Sequence, residues 1–268
     1  MQSDNKYPIK VYKYRSWSDE NHRNLLLKNH LFFTSPKDFN DPYDYKIPYD
    51  FSLLDTEEKI ETYLAKKKIE IASHFPAKDL EQLLINFRQR LRNELPQVQE
   101  DYNSLYFDGG DKHYGVLSLS ERWDSILMWS HYADFHKGYC VGFWEEKLRN
   151  TFIVTGGRVI YPPENNFPRL SPIGDFFENM IQESHVKSSD WKYEQEYRLA
   201  KVFYPVVPTT EDRIQEFSND FISEIIIGIS ASEKTREELI QIGKMKGVEV
   251  YQSIKKPFKF EMDRQQLS

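Results

Sequence analysis

The spacing of apolar positions changes several times along the chain, and each change predicts an element. Residues 9-IKVYKYRSW-17 alternate and are rich in β-forming side chains, which predicts a first strand. Ser18 or Asp19 can cap a short helix through 20-ENHRNLLLKN-29, and 30-HLFFTS-35 reads as a second strand ended by Pro36. The segment 36-PKDFNDPYD-44 is turn chemistry centred on Asn40, Asp41 and Pro42. Leu80, Leu83, Leu84, Phe87, Leu91 and Leu95 then follow helical spacing, after a charged helical segment at 56–72. This predicts a two-helix insertion over about 55–107, turning near Phe75-Pro76 and broken off by Gly109-Gly110.

Beyond the glycines, 114-YGVLSLS-120 predicts a strand, 121–134 a helix and 138-GYCVGFW-144 a buried strand. Two strands turning at the glycines are expected within 151–161, and a helix over 175–186. The stretch 190-DWKYEQEYRLAK-201 reads as a further strand. On it Glu194, Glu196 and Arg198 would share one face with Lys192, the two carboxylates roughly 7 Å apart by the two-residue repeat. The chain closes on a β-α-β unit, with Ser232 as helix cap and Gly247 beyond the helix end. The expectation is one α+β domain over 1–268, with a mixed sheet too irregular for a doubly wound fold.

Composition narrows the function classes. Aromatic residues make up 15% of 268 positions, enough for a sizeable core despite a modest hydrophobic share. Net charge is −6, so general binding to a nucleic-acid backbone is not expected, although a small, locally recognised nucleic-acid group remains open. With Cys140 as the single cysteine, neither an internal disulfide nor a multi-thiolate metal site can form within one chain. His131 and His136, five apart on a helix, do not face one another, so no metal is expected. No run approaches membrane-spanning length and the amino-terminal stretch lacks an apolar signal core, which predicts a cytoplasmic protein without a membrane partner. Neither GxGxxG, GxxxxGK[ST] nor GxSxG occurs.

Candidate chemistry lies in three strands. Arg15 follows Tyr14 in the first, Ser118 and Ser120 share a face of the 114–120 strand, and Glu194 and Glu196 lie in the last. An arginine fork can grip phosphate, and serine hydroxyls can both donate to and accept from a ribose. A carboxylate beside a glycosidic carbon stabilises the positive charge that develops as the leaving group departs. A second can act as general base, and their mutual nearness raises the pKa of one. The ordinary alternative is a salt-bridged strand face with unremarkable hydroxyls.

In this order, Arg15, Ser118-Leu119-Ser120 and Glu194-Gln195-Glu196 resemble the Arg-Ser-Glu branch of the ADP-ribosyltransferase superfamily. That resemblance implies a split sheet that holds NAD as substrate without a Rossmann motif. Arg15 would contact NAD, Ser118 and Ser120 would position the nicotinamide-side ribose, and Glu196 would be the catalytic glutamate, with Glu194 first in the pair. Leu119 stands where the branch carries threonine, and the helical insertion is a second departure. The implied acceptor is a protein arginine or a nucleic-acid group, or water in a glycohydrolase; many small bacterial members act as toxins or in defence. Four strings, YKYRS, LFFTSPKDFNDPYD, LSLSERWDSILMWSHYADFHKGYCVGF and WKYEQEYRL, resemble more closely an uncharacterised bacterial family of unknown function (number 2971). Tyr14, His131 and Tyr132 are further candidates to flank the nucleotide, Arg198 to hold Glu196, and the Asn40-Asp41 loop to cover the substrate between Phe39 and Tyr43. The rival from another class is a non-catalytic binding or regulatory domain.

Overall fold

The computed structural model describes residues 7–152 and 155–267. An eight-stranded sheet forms its centre, made of β1 (Lys10–Arg15), β3 (Tyr114–Ser120), β4 (Tyr139–Trp144), β5 (Thr155–Arg158), β6 (Glu196–Val202), β8 (Ile222–Ile227), β9 (Val250–Lys255) and β10 (Met262–Gln266). Their spatial order is β10-β9-β8-β4-β1-β3-β6-β5, and every pair is antiparallel except β8 with β9. A separate two-stranded ribbon joins β2 (His30–Phe32) to β7 (Ile214–Glu216).

The sheet is cleft along its length. β1 pairs with β4 over all six of its residues, but with β3 only at Tyr12 opposite Ser120. Beyond that pair the strands diverge, leaving a five-strand half and a three-strand half joined at one point. One face is packed by α1 (Glu20–Leu27), α6 (Glu145–Thr151) and α8 (Glu233–Lys246), whose Leu25, Leu26, Leu148, Leu239 and Ile242 close over Val11, Val141, Tyr197 and Leu199. The opposite face carries Tyr12, Tyr14, Cys140 and Ile226 under Met128 and Trp129 of α5 (Ile126–Tyr132). The closing β-α-β unit forms with Ser232 accepting from the Thr235 amide and Gly247 in the left-handed region, φ 68°. β10, with only one apolar residue, and β7, with three residues, had too little pattern to be anticipated.

The insertion holds three helices rather than two: α2 (Glu57–Ile71), α3 (Ala77–Asn93) and α4 (Leu95–His113). The apolar spacing ran on through Leu95, but Pro96 cannot sit in a helix interior and fits only a first turn, so a new helix starts there. Gly109 and Gly110 lie inside α4. Their cost, about 1 kcal/mol each relative to alanine, is offset by Tyr102 and Tyr106 packing on Phe51 and Tyr49. The helix expected over 121–134 begins only at Ile126, where the Ser125 hydroxyl accepts from the Met128 amide. Within 151–161 the glycines lie inside the single strand β5 instead of turning between two strands, while 153–154 fall outside the described residues.

The largest correction concerns 190–201. Ser189–Glu194 is a 3-10 helical turn, Gln195 is left-handed at φ 42°, and β6 starts only at Glu196. Glu194 and Glu196 therefore do not share a strand face.

Candidate active site

Ladder register places the first polar groups. β3 runs against β6 with Ser118 opposite Arg198 and Ser120 opposite Glu196. Directly opposed residues project to the same face, so these four point away from Tyr197 and Leu199. The 3-10 turn and left-handed Gln195 then fold Glu194 back toward Glu196. Ser120 fixes this return: it is fully buried, donates to the Glu194 carbonyl at 2.6 Å and accepts from the Arg122 amide. Its hydroxyl is thus committed to backbone and does not line the cavity, contrary to its expected part in binding a ribose.

The acids are brought together by two cations. Arg198, without exposed surface, donates Nε to Glu196 Oε1 at 2.7 Å and Nη2 to Glu196 Oε2 at 2.9 Å and to Asp44 Oδ2 at 2.5 Å. Its remaining nitrogen donates to the Ser184 carbonyl, and the Phe39 and Tyr45 rings lie within 6 Å of it. Arg198 does hold Glu196. Lys187 sits among three carboxylates, 2.7 Å from Glu194, 3.1 Å from Glu196 and 3.5 Å from Asp44. Tyr132 donates to the other oxygen of Glu194 at 2.6 Å. The group carries one more carboxylate than cation, all of it buried.

Burial and charge then separate the two glutamates. For Glu196 burial alone would favour the neutral acid, but Arg198, Lys187 and a bond from Ser118 outweigh it and hold the carboxyl well below its ordinary range. Glu194 lies above its ordinary range because burial and the charge of Glu196 outweigh Lys187 and Tyr132. Asp44 is likewise raised by burial against the pull of Arg198. Lys187 is raised: burial opposes its charge, but Glu196, Glu194 and Asp44 prevail.

A cavity of about 310 Å³ opens against this group, lined by Glu194, Glu196, Asp44, Lys187, Ser118, Tyr132 and, from β1, Lys13, Tyr14 and Arg15. Odd-numbered residues of β1 belong to the other face, yet where β1 and β3 part Lys13 reaches through the gap and donates to the Ser118 carbonyl. Desolvation there, followed by the charge of Arg15, pulls its pKa well below that of ordinary lysine. Arg15 makes no side-chain hydrogen bond or ion pair among the described residues, although it lines the cavity. It does not pair with Asp44, whose cations are Arg198 and Lys187.

The remaining candidates divide. Tyr14 lines the cavity but its hydroxyl is taken by the Arg122 carbonyl. Asn40 and Phe39 form part of the wall, Asn40 reaching Tyr132 at 3.4 Å. Asp41 turns away, accepting from the Tyr43 amide to fix the Asp-Pro turn, and Tyr43 packs outside against Phe167. His131 lies on an outer shelf, bonded to the Tyr193 hydroxyl at 2.9 Å. Asp44, Lys187 and Lys13 are the residues that sequence reasoning missed. Asp44 was visible as the last residue of the NDPYD turn, and Lys13 as a charge on an apolar-faced strand, but Lys187 carried no signal.

Among the described residues no group of His, Cys, Asp or Glu side chains is arranged to hold a metal ion, and no helix is long and apolar enough to cross a membrane. Residues 128–199 match the model of a family described as a protein of unknown function (DUF2971). That segment runs from α5 into β6 and contains Tyr132, Lys187, Glu194, Glu196 and Arg198, whereas Arg15 and Ser118 lie before it. No curated protein and no solved structure matches the chain.

Proposed function

We propose that the cavity takes the nicotinamide-ribose end of NAD, cleaves its glycosidic bond, and passes ADP-ribose to an acceptor, as the resemblance to ADP-ribosyltransferases implies. The observation that carries this reading is an arginine, without hydrogen bond or ion pair among the described residues, that lines the same cavity as an ionised carboxylate in a split sheet. Arg15 meets the phosphates, and Ser118 and Tyr132 meet ribose hydroxyls. At about 310 Å³ the cavity lies at the lower end for ligand sites, so it encloses one end of the dinucleotide while the rest lies along the opening.

The bond between ribose C1′ and the nicotinamide nitrogen breaks, and its electron pair leaves with neutral nicotinamide. Positive charge spreads over C1′ and the ring oxygen of the ribose, where Glu196, kept ionised by Arg198 and Lys187, opposes it. The acceptor attacks C1′ and loses its proton to Glu194, whose raised pKa suits a base. With water as acceptor the same site is a glycohydrolase.

A second reading, a non-catalytic binding domain, is favoured by the grip on Glu196, whose two oxygens already accept three N–H bonds. Calorimetric titration with NAD tests the binding that the transferase reading needs, and release of nicotinamide separates it from the binding domain. The transferase reading requires saturable NAD binding weakened at least tenfold by Arg15→Ala, with the fold intact by circular dichroism. Absence of NAD binding by the wild-type protein would remove it.

A further inference from the structure

The hairpin between β9 and β10 ends in 255-KKPFKFE-261, and among the described residues nothing covers its two rings. Phe258 and Phe260 are 107% and 99% exposed, as open as in an extended chain. Leaving two rings in water forgoes the burial that ordinarily stabilises a phenylalanine side chain. Phe258 has φ 59°, a left-handed conformation that a bulky residue rarely adopts, and it belongs to the tight turn that holds both rings outward. A largely apolar groove adjoins the tip, lined by Ile126 and Ile229 together with Phe258 and Phe260.

The charges around the rings are cationic in a chain whose net charge is −6. Lys255 and Lys259 make no ion pair among the described residues, and Glu261 is neutralised by Lys256 at 2.9 Å. Lys255 and Lys256 thus precede the rings and Lys259 stands between them, giving three cations against Glu261, which Lys256 pairs, and Asp263. The geometry points to a peripheral docking hairpin for an anionic phospholipid surface: the two rings enter the acyl boundary and the lysines sit at headgroup level. Each ring can enter whole without displacing any other part of the protein. Single-stranded nucleic acid fits less well. Base stacking uses rings braced on a platform, whereas these stand free. A contact of this kind needs no spanning helix. It is independent of the reading of the cavity, although Ile126, Met128 and Tyr132 of α5 link the groove and the cavity.

Co-sedimentation with vesicles tests it, comparing phosphatidylcholine alone with phosphatidylcholine containing phosphatidylserine. The wild-type chain pellets with the anionic vesicles, and does so less as salt is raised. Phe258→Ser with Phe260→Ser lowers the partition coefficient by about tenfold or more, and Lys255→Glu with Lys259→Glu does so to a similar degree. These positions are exposed, and circular dichroism checks that each variant keeps its fold. A wild-type chain left in the supernatant with anionic vesicles overturns the proposal, as do variants that pellet like wild type. Binding of a single-stranded oligonucleotide, lost in the same variants while vesicles are ignored, would also overturn it in favour of nucleic acid.

Discussion

Glu194 and Glu196 have the same side chain and opposite tendencies, and the difference rests on which cations each one faces. Glu194 has Lys187 and a phenol, and sits above the ordinary carboxyl range of about 4.3. If it is the base, turnover falls as pH drops through this raised pKa, and the acid limb of the profile lies above the range of free glutamate. Tyr132→Phe removes a bond that favours ionised Glu194, so that limb moves to higher pH; an unmoved limb would detach Glu194 from the reaction. Lys187→Met strands three carboxylates on one guanidinium and costs about 3–5 kcal/mol, the usual penalty for removing one partner of a buried ion pair. Denaturant titration measures this, and a loss under 1 kcal/mol would show that the group is looser than its distances imply. Lys187 was invisible in sequence because a lysine after a helix is ordinarily solvated. Only the fold returns it to Asp44, over a hundred residues earlier.

Among the elements, the segment 189–202 shows what periodicity can and cannot convey. Its alternation from Glu196 onward is real, with Tyr197 and Leu199 in the core and Glu196 and Arg198 on the cavity side. The same alternation carried backward through Gln195 gave the wrong structure for Glu194, because left-handed backbone at a glutamine leaves no mark on the apolar pattern. Gln195→Val places a β-branched residue at φ 42°, costs about 1–3 kcal/mol and lowers turnover by moving Glu194. Gln195→Gly accepts that backbone and stays within about 1 kcal/mol of wild type. Thermal melts and initial rates on both variants check this; equal behaviour of the two would mean the turn is not held. The β-α-β unit, by contrast, was legible because cap, apolar run and terminal glycine agreed. In the helical insertion, proline chemistry at Leu95-Pro96 overrode an apolar spacing that ran straight through it.

At the scale of the molecule, the insertion and the site are tied through α7 (Phe176–His185). Its Glu183 is buried and accepts from Tyr106 of α4, while the next residue, Ser184, supplies a carbonyl to Arg198. Burial pushes Glu183 up to about 7, against the opposing effects of Tyr106 and Lys46. An acid raised in the fold keeps its proton while the unfolded chain has already released one, so stability declines as pH climbs from about 4.3 to 7 and levels off above. The contribution is about 3–4 kcal/mol at 1.36 kcal/mol per unit. Glu183→Gln removes this slope, which comparison of denaturation midpoints at acid and neutral pH would reveal; an unchanged slope would place the proton elsewhere. The partition into a sheet and an insertion could be read from changing period. The split between β1 and β3 could not, since it depends on where pairing stops between strands about a hundred residues apart.

Chromatographic measurement of nicotinamide released from NAD bears most directly on the proposed cleavage of the nicotinamide-ribose bond in the cavity. The wild-type protein is expected to release nicotinamide, more so with a suitable acceptor. Glu196→Gln is expected to lose at least a hundredfold of this release with the fold retained. NAD left intact by the wild-type chain, with and without cell extract as acceptor, would contradict the proposed cleavage, as would release that Glu196→Gln leaves unchanged.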